Sequence, residues 1–472
     1  MRALALLFFI SLPAEAGYFA AAGKTDITPD PSVESVYLAG YGASGKRAKG
    51  VRDRLYARAL VVSDGTSTAA LVSLDLIGLY RNDVLDLRSR TTIPVFVTAT
   101  HTHSGPDTLG LWGPILGMSG VRSAYQERVK ASVAALIAEL NGKLDPAELF
   151  AARESVDPSR LCRDRRDPAA FDPDLDVLSV RRGNGQTIAT GVRFSCHATA
   201  LGRTRERISA DYPGALCSVI EKAKGGTCLF FPGSIGGHIV PAVEIGATLE
   251  EQDRAMEDLG AALASTALGA RYRPLSPGSI AFSSAVVSLP VENSRYLTFL
   301  PSLAFGHRLF DSAGVELPFW KRWWIPLRHA IFFPLPAALR PWVETEVSRA
   351  DLGPLKILGI PGESFPEQAI GGYGGEHRYA QALIAPDSEN PPVLERAPKP
   401  PYLRELLSAE YAWIVNLAND EIGYTIPAYD FQAAETRTMR PRPKGTHYGE
   451  TNSIGPSATE IVMDAARELA SR

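Results

Sequence analysis

The chain has 472 residues, of which 45% are hydrophobic and 21% charged, with a formal net charge of −3. That is an ordinary globular composition and excludes a disordered or fibrous chain; basic residues form no long block, which argues against nucleic acid as a partner. The length exceeds what one hydrophobic core usually reaches.

In chain order, residues 1–16 read as a signal peptide. Arg2 gives a positive start, Ala3 to Leu12 an apolar stretch too short to span a bilayer comfortably, and Ala14-Glu15-Ala16 a small-residue cleavage site. The expectation is an exported protein, periplasmic or secreted, with residues 17–472 as the mature unit and no later transmembrane segment. Short apolar runs bounded by turn residues predict strands at Tyr56–Val62, Ala69–Asp75 and Ile93–Ala99. A helix is predicted over Ala124–Leu140, closed by Asn141-Gly142. Strands follow at Val177–Val180 and Ile188–Cys196, a helix over 213–223, a strand at Thr227–Phe231, a helix over Leu249–Leu268 and a strand at Leu355–Ile360. The alternation predicts an α/β fold with mixed β-sheets flanked by helices.

Residues 295–343 differ from the rest. Four of the six tryptophans fall there (Trp320, Trp323, Trp324 and Trp342), among Phe299, Phe305, Phe319, Phe332, Phe333, Lys321, Arg322 and Arg328. Aromatics interleaved with basic residues suit peripheral contact with a membrane interface. The same composition also suits a hydrophobic insertion packed on the domain. Four cysteines allow three pairings, and proximity in sequence favours Cys217 with Cys228.

The most specific local motif is Thr98-Ala-Thr-His-Thr-His-Ser-Gly-Pro106, directly after a predicted buried strand. His101 and His103 lie two residues apart, which strand alternation would place on one side. Gly191-Val-Arg-Phe-Ser-Cys-His197 repeats the context of a strand leading to a histidine. With eight histidines in the chain, three at strand ends suggest a metal site, since imidazole is a common zinc ligand. The alternative is a set of hydrogen-bonded loop histidines. Glu363, in Ile360-Pro-Gly-Glu-Ser364, is a further candidate ligand or a solvated turn residue.

Taken together, Ala22-Gly-Lys-Thr-Asp-Ile-Thr-Pro29, Leu38-Ala-Gly-Tyr-Gly42, the strand ending at Asp75, His101-Thr-His-Ser-Gly-Pro106, Cys196-His-Ala-Thr199 and Pro361-Gly-Glu363 form an ordered series. It resembles the neutral, non-lysosomal ceramidase family. The resemblance implies a zinc-dependent hydrolase of the amide bond in an N-acylated lipid, with Zn2+ held by His101, His197, Glu363 and Tyr424. It implies that His103 exchanges protons with water or the leaving amine, that Arg163 contacts substrate and that Tyr448 faces the amide carbonyl. We add Asp75 as an expected partner for a ligand histidine, because such ligands donate their second N–H to an oxygen.

Two departures stand out. The family's Gly-Asp-x-Ser-Pro loop corresponds here to Phe231-Pro-Gly-Ser-Ile-Gly-Gly-His-Ile-Val-Pro241, which lacks the aspartate. Ser234 and His238 are possible substitutes, neither in register. The chain also ends soon after the Tyr448 motif, and the expectation is that the immunoglobulin-like C-terminal domain of bacterial members is missing. These departures keep two alternatives open: a hydrolase of another amide or ester on the same zinc site, and a non-catalytic lipid-binding protein with a degenerate metal site.

Overall fold

The computed structural model describes residues 17–472, apart from positions 43, 116–117, 168, 245, 295, 298–306, 333–334, 374–383, 433–443 and 446. The expected signal peptide and Phe299, Phe305 and Phe333 of the aromatic segment therefore lie outside the described residues.

Eight principal strands build the larger sheet: β1 (Tyr18–Asp26), β2 (Tyr56–Ser63), β3 (Thr68–Leu74), β4 (Val95–Ala99), β5 (Asp145–Ser155), β6 (Asp174–Arg181), β7 (Thr187–Phe194) and β8 (Thr227–Pro232). Their spatial order is β8-β7-β6-β5-β1-β2-β3-β4. The interior pairings are antiparallel, and both edges are parallel pairs, β7 with β8 and β3 with β4. A second sheet contains β9 (Ile280–Pro290), β10 (Trp342–Leu352), β11 (Leu355–Gly359) and, beyond the two-residue strand β12 (Glu363–Ser364), β13 (Tyr411–Val415). There β11 and β13 form another parallel pair.

The two sheets pack face to face. Leu60, Leu71, Phe96, Leu178 and Leu229 of the first share one core with Ala350, Ile357 and Trp413 of the second. The alternate residues of the first sheet point the other way: Ala59, Val61, Val72 and Val97 meet helix Ser123–Asn141, while Val177, Val192 and Phe230 meet helices Asp211–Lys224 and Leu249–Gly269. The outer face of the second sheet is covered by the helix Pro456–Ser471. Strands such as β2 thus read as continuous apolar runs because both of their faces are buried. The result is a four-layer α/β/β/α sandwich, the mixed-sheet α/β class expected.

Some elements escaped the sequence. Strand β1 pairs with both β2 and β5 near the centre of the sheet, yet its Tyr-Phe-Ala-Ala-Ala-Gly-Lys-Thr-Asp sequence is poor in β-branched residues. Packing rather than propensity makes it a strand. Cys217 and Cys228 form a disulfide, while Cys162 and Cys196 are buried and free.

The described part of the aromatic segment forms two short helices, Phe319–Arg322 and Trp324–Ile331. Trp320, Trp323, Trp324, Ile331 and Phe332 are each 51–62% exposed. Ile325 and His329 face inward. Packing on the domain therefore accounts for one side of these helices and leaves the tryptophans on the surface.

Candidate metal centre

Loops at the C-terminal ends of the parallel strands converge on one point. His101 follows β4, His197 follows β7, His238 lies in the loop after β8, Glu363 follows β11 and Tyr424 follows β13. This is where open α/β sheets commonly place ligands, because the loops of neighbouring parallel strands leave on the same side. Strand β14 (Tyr424–Thr425) pairs in parallel with β12, with Glu363 opposite Tyr424. That register sets the two side chains next to each other, with the Tyr424 phenol beside the Glu363 carboxylate.

Backbone stitching holds the loops. The Asn416 side chain accepts from the N–H groups of Ile235 (3.1 Å) and Ser364 (2.8 Å) and donates to Ser364 Oγ (2.7 Å). The Asn419 side chain accepts from Val97 N–H (2.8 Å). The exits of four strands are tied together by two asparagines.

The histidines do not leave their strand by simple alternation. Strand β4 ends at Ala99, and His101 adopts a left-handed backbone with φ of 62°. The chain turns there, and the turn rather than the pleat aims the ring. The His101 Nδ1–H donates to the Ile77 carbonyl (2.7 Å) and the His197 Nδ1–H to the Ile239 carbonyl (2.7 Å). Because a carbonyl can only accept, each Nδ1 carries the proton and each Nε2 offers a lone pair. His197 Nε2 then lies 2.8 Å from Glu363 Oε2, and His101 Nε2 3.7 Å from Oε1. Two lone pairs facing a carboxylate require a proton or a cation between them.

His103 completes the group; ligand atoms of His101, His103 and His197 all lie within 4.8 Å of one another. Neither His103 nitrogen makes a hydrogen bond of normal geometry, although both are buried. Its ring packs edge-on against Tyr41 (centroids 5.1 Å apart) and against the Gly40 backbone. Gly40 has a φ of 95°, and a Cβ there would come within 2.3 Å of the imidazole. Only glycine fits.

Burial dominates the electrostatics. It lowers the pKa values of His101 and His197 to about 4 and that of His238 to about 3, and pushes His103 well below its usual value. All four are neutral near pH 7, the form that binds metal. Burial raises Glu363 to about 7 despite the opposing effects of His101 and the Tyr424 hydrogen bond. Neutral imidazoles, a desolvated carboxylate and a phenol fit a divalent metal such as zinc.

Of the other expected site residues, Tyr448 lies at the site, its ring stacked on His238 at 5.0 Å and 21°. His238, at the tip of the altered loop with φ of 63°, stands 5.8 Å from His197. Ser234 is instead buried against Ser364 Oγ (3.2 Å) beneath the carboxylate strand. The Arg163 guanidinium pairs with Glu244, which stands on the rim of the outer cleft. Arg165 and Arg166 are the arginines of that segment that line the cleft. Asp75 departs from expectation. It is buried on Arg58 and accepts from Tyr56 N–H (2.8 Å), and His101 and His197 use backbone carbonyls instead. Those carbonyls carry no side-chain signature and could not be read from sequence.

Two spaces flank the cluster. The outer one, about 840 Å³, is lined by Tyr41, Arg165, His238, Phe365, Tyr424 and Tyr448. The inner one, about 80 Å³, is mostly apolar and touches His101, His103, Glu363 and Tyr424 from the other side.

Fold and site together define an α/β/β/α sandwich with a histidine–carboxylate–tyrosine centre of metal-binding type at its strand ends. The chain belongs to the neutral/alkaline non-lysosomal ceramidase family, whose N-terminal domain matches residues 18–269. It is 26% identical over 234 residues to the neutral ceramidase of Pseudomonas aeruginosa, covering 44% of this chain and 35% of that one. It is 28% identical over 232 residues to the neutral ceramidase of Mycobacterium tuberculosis, covering 43% and 36%. The matched segments thus span about a third of those relatives. In three dimensions the chain resembles the crystal structure of the Pseudomonas aeruginosa enzyme, with a TM-score of 0.68 and 18% identity over 97% of this chain and 74% of that one. A ceramidase complexed with C2 gives 0.67 and 15%. These likenesses establish the shared fold.

Proposed function

We propose that the protein hydrolyses the amide bond of an N-acylated, ceramide-like lipid, with a zinc ion held by His101, His197, Glu363 and Tyr424. The observation that carries this reading is the pair of carbonyl-anchored histidines whose Nε2 atoms face the buried Glu363 carboxylate. Family membership supports the amide as substrate.

Zinc bound there would supply Lewis-acid polarisation and a water acidified to a pKa of ~7. His103, neutral and with neither nitrogen held in a hydrogen bond of normal geometry, takes a proton from water and returns it to the leaving nitrogen. An amide needs that second transfer, because an amine anion is a poor leaving group. Tyr448, on the outer side, donates to the carbonyl oxygen as charge develops, and stacking on His238 fixes its ring. The sequence of the 231–241 loop favours, as a second reading, another amide or ester on the same centre, since the loop lacks the aspartate of the family's Gly-Asp-x-Ser-Pro motif.

The exposed tryptophans support docking at a lipid surface. Exposed aromatic clusters of this kind are uncommon on a free surface and suit the headgroup layer. Among the described residues no helix is long and apolar enough to cross a membrane.

Metal content and turnover of a fluorogenic N-acyl-sphingosine, on the wild type and on His101→Ala, test the reading. One zinc per chain and turnover lost in the variant are expected. Zinc without turnover would transfer the site to another amide or ester. No zinc in either protein would overturn the mechanism.

A further inference from the structure

The inner space contains polar atoms that the proposed mechanism does not use. Tyr80 Oη and Glu421 Oε2 are both buried without a hydrogen-bond partner, and both residues line this otherwise apolar cavity. Neither is loosely held. The Tyr80 ring packs at a tilt of 53° against His307 (centroids 4.2 Å apart), whose Nε2 lies 3.4 Å from Asp420 Oδ1. Asp420 in turn accepts from Arg81 N–H (2.9 Å) and Thr345 Oγ1 (2.7 Å). Glu421 Oε1 accepts from Gly423 N–H (2.8 Å), one residue before the ligand Tyr424. The scaffold fixes a phenol and a carboxyl and leaves one oxygen of each for something else. Buried polar atoms without partners cost stability unless a bound group satisfies them.

Position and size narrow that group. His103, the donor to the leaving nitrogen, borders this cavity, whereas Tyr448, the donor to the carbonyl oxygen, borders the outer cleft. The amine half of a bound amide therefore faces inward and its acyl chain outward. The inner volume of about 80 Å³ holds only about five water-sized groups; the outer cleft is some ten times larger, about 840 Å³ against 80 Å³. A hydroxyl, both donor and acceptor, complements a phenol and a carboxyl together.

We propose that the inner cavity is the subsite for the amine half of the substrate, and that it selects a short amino alcohol whose hydroxyl is bound by Tyr80 Oη and Glu421 Oε2. The preferred substrate class is thus the fatty amide of a short hydroxylated amine rather than of a long-chain base. This rests on the amide-hydrolase reading and refines its substrate.

The test uses three amides of one fatty acid, with ethanolamine, propylamine and sphingosine, on the zinc-loaded wild type and on Tyr80→Phe. Propylamine keeps the size of ethanolamine and lacks its hydroxyl. The wild type should show kcat/KM for the ethanolamide about tenfold above the propylamide and above the sphingosine amide, the discrimination expected of a buried hydroxyl pair. In Tyr80→Phe the ethanolamide-to-propylamide ratio should fall towards one. Equal wild-type rates for ethanolamide and propylamide would overturn the subsite and assign the two oxygens to water. A faster sphingosine amide would overturn the short amine. Turnover of none of the three by the zinc-loaded protein would overturn the hydrolase reading and the subsite with it.

Discussion

The histidine centre and the tryptophan-bearing helices after Pro318 are both dense in ring side chains, and they are built in opposite ways. At the centre every ring has a fixed partner: Ile77 and Ile239 carbonyls for His101 and His197, Tyr41 and Gly40 for His103, His238 for Tyr448. On the helices Trp320, Trp323 and Trp324 are more than half exposed, and their backbone elements are only 4 and 8 residues long. A reaction centre needs geometry set in advance, which burial and hydrogen bonding provide. A lipid-contacting surface needs apolar area left unsatisfied until the partner arrives.

Three experiments would break or sharpen this contrast. The largest effect is expected at Gly40. Gly40→Ala would drive a methyl into the His103 ring and, with φ at 95°, strain the backbone as well. Turnover should fall by about a hundredfold, the usual worth of a general acid–base, while zinc content stays near one per chain. Loss of both would mean that His103 is needed to hold the metal.

A smaller, graded effect is expected from pH. Zinc needs Glu363 as the carboxylate, and burial holds that group protonated up to about 7 in the metal-free protein. Protons therefore compete below that pH. Apparent zinc affinity should rise by about tenfold per unit up to about pH 7 and then flatten. The histidines, with values of about 4, add no slope in that window. Calorimetric titration at several pH values checks this, and a slope that persists in Glu363→Gln would reassign the proton.

The smallest effect on the folded protein is expected at the surface. Replacing Trp320, Trp323 and Trp324 together by alanine should leave hydrolysis of a short soluble amide within about twofold, since exposed side chains contribute little to stability. Binding to anionic liposomes in a flotation assay should drop clearly. Equal loss of both activities would show that these helices brace the fold.

The sequence by itself determined the α/β class, most of the strands and helices up to Leu249–Gly269, the Cys217–Cys228 pair and the histidine motif. Each of these depends on local pattern: apolar runs, turn residues, proximity and residue type. It also named His101, His103, His197, Glu363, Tyr424 and Tyr448; the first five follow four strand ends, and Tyr448 joins them from the short helical turn His447–Asn452. Tertiary structure decided the rest. Strand β1 exists because its two neighbours hydrogen-bond to it. Asp75 and Arg163 pair with Arg58 and Glu244, long-range contacts that no local pattern announces. Tyr80 and Glu421 look unremarkable along the chain and become candidates for substrate selection only when the fold buries one oxygen of each beside the centre. Burial and long-range hydrogen bonding are properties of the packed molecule, and no spacing in the sequence encodes them.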